Sequence, residues 1–157
     1  MTFEARDPDY EARVRGSFAR QAFMATCGAS LVAVRPGEVE IELPHHADLT
    51  QQNGHLHAGV IAAVADSACG YAAFTLMPGD HDVLSVEFKT NLLAPARGER
   101  FRATARVVRA GRTLTVCTAE VVAFEGGRET LVAVMQATMI GVVSRKLGTA
   151  ADSPVSH

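Results

Sequence analysis

The sequence reads as one α+β domain, and three observations carry that reading. One helix-length stretch, His57 to Leu76, is apolar on nearly all sides. Four long stretches follow in which apolar and polar residues alternate, the period of a half-buried strand. Tight Gly-containing turns separate these stretches, so the sheet should be mainly antiparallel. At 157 residues, 48% hydrophobic and 20% charged, the chain has the size and makeup of a single soluble domain with a real core.

Each element has its own signal. Tyr10 to Cys27 predicts a first helix, with Val14, Phe18, Ala22 and Ala25 at three- and four-residue steps. Leu31–Val34 and Val39–Leu43 flank Pro36-Gly37, and Val39, Ile41 and Leu43 alternate with Glu40 and Glu42, which predicts a hairpin with one wet face. The polar segment 44–56, PHHADLTQQNGHL, is long for a loop in a compact domain, and such loops often carry function. The alanine-rich helix comes next and ends at Pro78-Gly79. Leu84, Val86 and Phe88 then alternate with Ser85, Glu87 and Lys89, and Phe101, Ala103, Ala105 and Val107 with arginines and Thr104. Ala110-Gly111 and Gly126-Gly127 divide the remainder into strands over Thr113–Phe124 and Glu129–Val143. The expected division is an N-terminal helix over 1–25 packed on the domain, a main domain over 26–145 and a disordered tail over 146–157, KLGTAADSPVSH.

The composition excludes several classes. A net charge of −2 argues against general nucleic-acid binding. Cys27, Cys69 and Cys117 are far apart and sit in apolar runs, as buried thiols in a reducing compartment would. The N-terminus lacks the apolar core of a signal peptide, and the longest apolar run falls short of the roughly 20 residues of a membrane span. A cytoplasmic protein with no membrane or nucleic-acid partner is expected.

A twisted sheet can cover an all-apolar helix on one side only, so a second copy of the chain should cover the rest. On that helix stands Asp66, whose neighbours at three and four residues are Ala62, Ala63, Cys69 and Gly70. A carboxylate among small apolar groups is costly without a partner, which marks it as functional. His57 lies nine residues earlier, a rise of roughly 13–14 Å and a turn that puts the two on opposite faces. They cannot act on one atom within a chain. Two helices packed antiparallel about a two-fold axis would instead bring the His57 end of one near Asp66 of the other. At that end the backbone N–H groups of Ala58 and Gly59 lie at the positive pole of the helix dipole, where they could polarise a carbonyl.

Two other clusters of polar residues stand out. His45, His46, Asp48, His55 and His57 are ligand types, but adjacent histidines without an HExxH or Cys partner do not make a metal site, and none is expected. Arg97, Arg100, Arg102, Arg106, Arg109 and Arg112 form a basic stretch. Arg100, Arg102 and Arg106 share the parity of a solvated sheet face, whereas Arg109 and Arg112, flanking Ala110-Gly111, are better placed for phosphate. No Walker or GxGxxG motif is present, which disfavours a nucleotide-dependent enzyme.

The segments QQNGHLHAGVIAAVADSACGYAA, VLSVEFKTNLLAPARGE and RVVRAGRTLTV, with the HxGxxxxxxD spacing from His57 to Asp66, resemble the hotdog-fold acyl-CoA thioesterases of the phenylacetate-pathway (PaaI) type. The resemblance runs from about Thr26 to Val143. It implies a long helix wrapped by a curved antiparallel sheet of five to six strands, a homodimer with active sites at its interface, and a dimer of dimers (homotetramer). By the same resemblance Asp66 activates water or attacks the thioester. A backbone N–H at Ala58 or Gly59 holds the thioester oxygen, and His57 supports that end. Gln51 stands where many relatives have an asparagine that positions the thioester or water, and Ser85 resembles a residue that orients the water or the carboxylate. Asn53 and Gly54 in the motif loop, Tyr71 and Phe74 on the helix, and Arg109, Arg112 or Arg145 toward the phosphates would contact the acyl-CoA substrate. No metal or organic cofactor is required. Two other activities compete on the sequence: a hotdog-type dehydratase or hydratase of 3-hydroxyacyl thioesters, and a non-catalytic acyl-CoA binding domain.

Overall fold

A computed structural model describes residues 3–144. Ser30–Arg35 (β1) and Glu38–Pro44 (β2) form the expected hairpin, with Val39, Ile41 and Leu43 buried and the glutamates on the other face. The apolar helix spans Ala58–Phe74 (α3). Four long strands follow: His81–Leu92 (β3), Arg100–Ala110 (β4), Leu114–Glu125 (β5) and Arg128–Val143 (β6). All pair antiparallel in one six-stranded sheet of order β1-β2-β4-β5-β6-β3. The sheet curves around α3, which packs against β2 through β6. This is the α+β hotdog architecture.

The core lies between α3 and the concave face of the sheet. Phe101, Ala103, Ala105, Cys117, Ala119, Val121, Ala137 and Met139 point inward from the central strands. They meet Ile61, Val64, Ala65, Ala68 and Ala72 of α3. Small residues on both sides let the helix sit close to the strands. Cys27, Cys69 and Cys117 are free and buried within this core, and burial pushes the Cys69 and Cys117 thiols well above the ordinary thiol range, so both stay protonated. No helix among the described residues is long and apolar enough to cross a membrane.

The structure departs from the sequence expectations in three places. The first helix is two helices, Tyr10–Ala19 (α1) and Ala22–Thr26 (α2), broken where Gln21 takes an extended conformation at φ −78° and ψ 94°. That break turns the Gln21 side chain toward α3, where it bonds Tyr71 and Ser67. Second, β3 is not joined to β4 by a tight turn. It pairs with β6 at the far edge of the sheet, and the segment 93–99 crosses back to β4. Gly98 on that crossing sits at φ 154° with the Phe124 carbonyl so close that a Cβ would stand 2.7 Å from it. Third, part of the uncovered side of α3 is covered from within the chain. Phe18 of α1 packs edge-on against Tyr71, with ring centroids 5.8 Å apart. The proposed disorder of 146–157 and the placement of Arg145 lie outside the described residues.

Candidate active site

Asp66 sits midway along α3 on its half-buried stripe, between buried Ala65 and half-buried Ser67. The helix periodicity that buries Ile61, Val64, Ala65 and Ala68 leaves Ala62, Ala63, Asp66 and Ser67 on this stripe. Ser85 of β3 donates a 2.7 Å hydrogen bond to Asp66 Oδ1. Burial holds the Asp66 carboxyl above its ordinary range, and the Ser85 bond, which favours the ionised form, only partly offsets it. The two residues line a cavity of about 160 Å³ together with Tyr71 and Phe74. The same cavity takes in Ser17, Gln21, Ser67 and Asp82, none of which the sequence had marked. Only the position of Ser67, next to Asp66, could have suggested any of them.

The start of α3 is built differently. His57 is its N-cap, with extended backbone (φ −63°, ψ 136°), and its ring Nδ1 accepts the Gly59 N–H at 2.9 Å. An imidazole that accepts at Nδ1 carries its proton on Nε2. The N–H groups of Val60 and Ile61 both donate to the His57 carbonyl, at 3.0 and 3.3 Å. None of these bonds uses the Ala58 N–H, so it is the donor left over at this helix start. Ala58 lines a second cavity, about 430 Å³, with Gln51, His55 and the apolar Leu56, Ile61 and Leu92.

The remaining marked residues fall elsewhere. The Gln51 side-chain oxygen accepts the Asn53 N–H, closing the loop in which Gly54 adopts φ 78°. Asn53 and Gly54 are exposed and line a third, shallow cavity beside Arg97 and Glu99, not the one holding Ala58. His55 borders both. Arg100, Arg102 and Arg106 pair with Glu42 and Glu38 across β2, with Arg100 also lying 3.6 Å over the Phe124 ring. Arg109 and Arg112 are exposed and form no ion pair among the described residues. Arg112 lines a small cavity with Leu76, Met77 and Pro78, past the end of α3. The described residues contain no group of three or more His, Cys, Asp or Glu able to hold a metal ion.

Within one chain, then, Asp66, Ser85, Tyr71 and Phe74 share one cavity, and Gln51 and Ala58 share another. A carboxylate of raised basicity in a partly dry cavity can activate water. A free N–H at a helix start can polarise a carbonyl oxygen.

Comparisons with known proteins show the family to which this fold belongs. The model of the Thioesterase superfamily matches residues 53–130. A thioesterase family protein from Silicibacter pomeroyi is 53% identical, with 86% of this chain and 99% of that one covered, at a TM-score of 0.85. A conserved protein from Pseudomonas aeruginosa is 30% identical, covering 78% of this chain and 94% of that one, at a TM-score of 0.70. The chain belongs to the thioesterase superfamily. The PaaI protein from the E. coli phenylacetic acid degradation operon has a TM-score of 0.76 over 85% of this chain and 94% of its own, but at 17% identity that likeness shows the fold alone.

Proposed function

We propose that the protein hydrolyses an acyl-CoA thioester to the free acid and CoA, with each active site shared between two subunits. The observation that carries this reading is Asp66. It is a part-buried carboxylate of raised pKa, oriented by Ser85 and opening on a cavity, in a chain of the thioesterase superfamily. Asp66 acts as general base on a water, or as the nucleophile itself. In either case the carbonyl carbon is attacked, the C–S bond breaks, and the CoA thiolate leaves and takes up a proton. Attack by water gives the free acid directly, whereas attack by Asp66 gives an acyl-aspartyl anhydride that a water then cleaves to the free acid and the Asp66 carboxylate. The Ala58 N–H of the other subunit polarises the thioester oxygen. Its freedom from the cap supports it over Gly59, whose N–H is held by His57. His57 then serves by fixing the helix start, Gln51 by shaping the loop beside Ala58, and Tyr71 and Phe74 by bounding the acyl end. Asn53, Gly54, Arg109 and Arg112 are assigned to the CoA portion.

The edge strand β3 supports the dimer. Leu84, Val86 and Phe88 are 42%, 54% and 49% exposed on a twelve-residue strand with one unpaired edge. Such an edge is a surface that chains cover by pairing. A dimer of dimers in the cytoplasm is the fuller assembly we assign, in keeping with three free thiols.

Asp66→Asn tests the reading, because it keeps the shape and the Ser85 acceptor but removes the base. It should lower kcat for acyl-CoA hydrolysis by about 10²–10⁴-fold with the oligomer unchanged. Near-normal thiol release by that variant would sink the proposal.

A further inference from the structure

The cavity beside Asp66 has a polar wall that takes no part in breaking the thioester bond. It is formed where α1 and α2 break over α3. Gln21 Nε2 donates to the Tyr71 hydroxyl at 3.3 Å, and Gln21 Oε1 accepts from Ser67 Oγ at 3.3 Å. Ser17 Oγ lies 3.4 Å from the same Tyr71 oxygen. All three contacts are near the long limit for a hydrogen bond, so a ligand group could replace any of them at little loss. The donor inventory also leaves spare capacity. Gln21 Nε2 carries a second N–H, and the Tyr71 proton is free to turn from Ser17 toward a ligand. Burial keeps the Tyr71 phenol above its ordinary range, so it stays a donor at neutral pH.

Size decides which part of a substrate meets this wall. The cavity of about 160 Å³ has room for about five water-sized groups at roughly 30 Å³ each. The phosphate-bearing end of coenzyme A is too bulky for a space of this size, and we assign the portion of substrate held on this side to the acyl group. A plain alkyl chain there would strip water from Gln21, Ser17 and Tyr71 without replacing its hydrogen bonds. An acyl group with a hydroxyl would satisfy them.

We propose that Gln21 and Tyr71 are specificity-determining residues, selecting short acyl groups that carry a hydroxyl or similar hydrogen-bonding group over plain alkyl ones. This rests on the reading that Asp66 meets the reacting carbon. The test compares 3-hydroxybutyryl-CoA with butyryl-CoA in two measurements. One is kcat/KM by thiol release on the wild-type protein, and the other is Kd by calorimetry on the Asp66→Asn protein. The wild-type kcat/KM ratio should favour the hydroxylated substrate by about tenfold or more, with the Kd ratio in the same direction. Gln21→Leu and Tyr71→Phe should each bring both ratios toward one by weakening the hydroxylated ligand. Tyr71→Phe keeps the ring packed between Phe18 and Phe74. A wild-type kcat/KM ratio of one, or ratios unchanged in both variants, overturns the inference while leaving hydrolysis standing. No turnover of either substrate, with a Kd preference that the variants abolish, would instead remove the thioesterase reading and keep the polar wall.

Discussion

The two ends of α3 are finished in opposite ways. At the C-terminal end, Arg13 of α1 donates to four carbonyls, those of Phe74, Met77, Pro78 and His81, at 2.8–3.2 Å. Its guanidinium also lies 4.2 Å over the Phe74 ring, and Asp7 holds it at 3.0 Å. The carbonyls at and just past the helix end thus gain a donor from inside the chain, and its positive charge suits the negative pole of the helix. At the N-terminal end the cap residue and the two that follow are exposed, and the Ala58 N–H is not used by the cap. A helix end closed by a part-buried cation is built for stability. One left with an exposed donor beside a cavity of about 430 Å³ is available to a ligand.

Of changes at the two ends, the larger effect on turnover should come from closing the open end chemically without disturbing it. Ala58→Pro removes that N–H, and proline is well tolerated at the first helical position. His57 already has the extended backbone that a residue before proline requires. The variant should keep its melting temperature and lose about 10²–10³ in kcat, the cost of one oxyanion donor. Co-expressed with Asp66→Asn, it should recover about a quarter of wild-type turnover, because half the dimers are mixed and one site in each mixed dimer is intact. No recovery in verified mixed dimers would put both groups in one chain and undo the shared site.

At the closed end the expectation reverses. Arg13→Ala takes a donor from four carbonyls and the partner from a half-buried Asp7, and should cost about 3 kcal/mol of stability. The urea midpoint would fall at unchanged m, while kcat well below the transition stays of the same order. Loss of turnover at full stability would mean that this end too is functional, and the contrast between the ends would fail.

What the sequence could reveal follows the same division. Period showed which residues share a face: the helix, the hairpin, the inward side of β4 and the Arg100/Arg102/Arg106 side all emerged from it. Period does not say which element lies opposite. The glutamates that meet those arginines, the position of β3 beside β6, and the reach of Arg13 over more than sixty residues are long-range facts with no local trace. The candidate site divides likewise. Helix geometry separated Asp66 from His57, and the two lie on the same helix without a shared cavity. That the His57 ring takes the Gly59 N–H, and that Gln21 breaks a helix to reach Tyr71, depends on rotamers and packing that no spacing encodes.

The smallest predicted effect concerns Ser85, between the two ends, and pH reads it out. Burial raises the Asp66 pKa and the Ser85 hydrogen bond lowers it, with burial the larger. A base works only when ionised, so activity falls as pH drops through this raised pKa. Ser85→Ala deletes the lowering contribution, and the acid limb of kcat/KM should move to higher pH, with plateau kcat down by about tenfold. Folding carries the matching sign. Between the ordinary carboxylate pKa and the raised one, the native state holds a proton that the unfolded state has released. The unfolding free energy therefore falls as pH rises through that window. Ser85→Ala widens the window, whereas Ser85→Thr keeps the hydroxyl and should leave the limb where it is. A limb unmoved by Ser85→Ala would mean that the group titrating in turnover is not Asp66, and the open end of α3 would need a different partner.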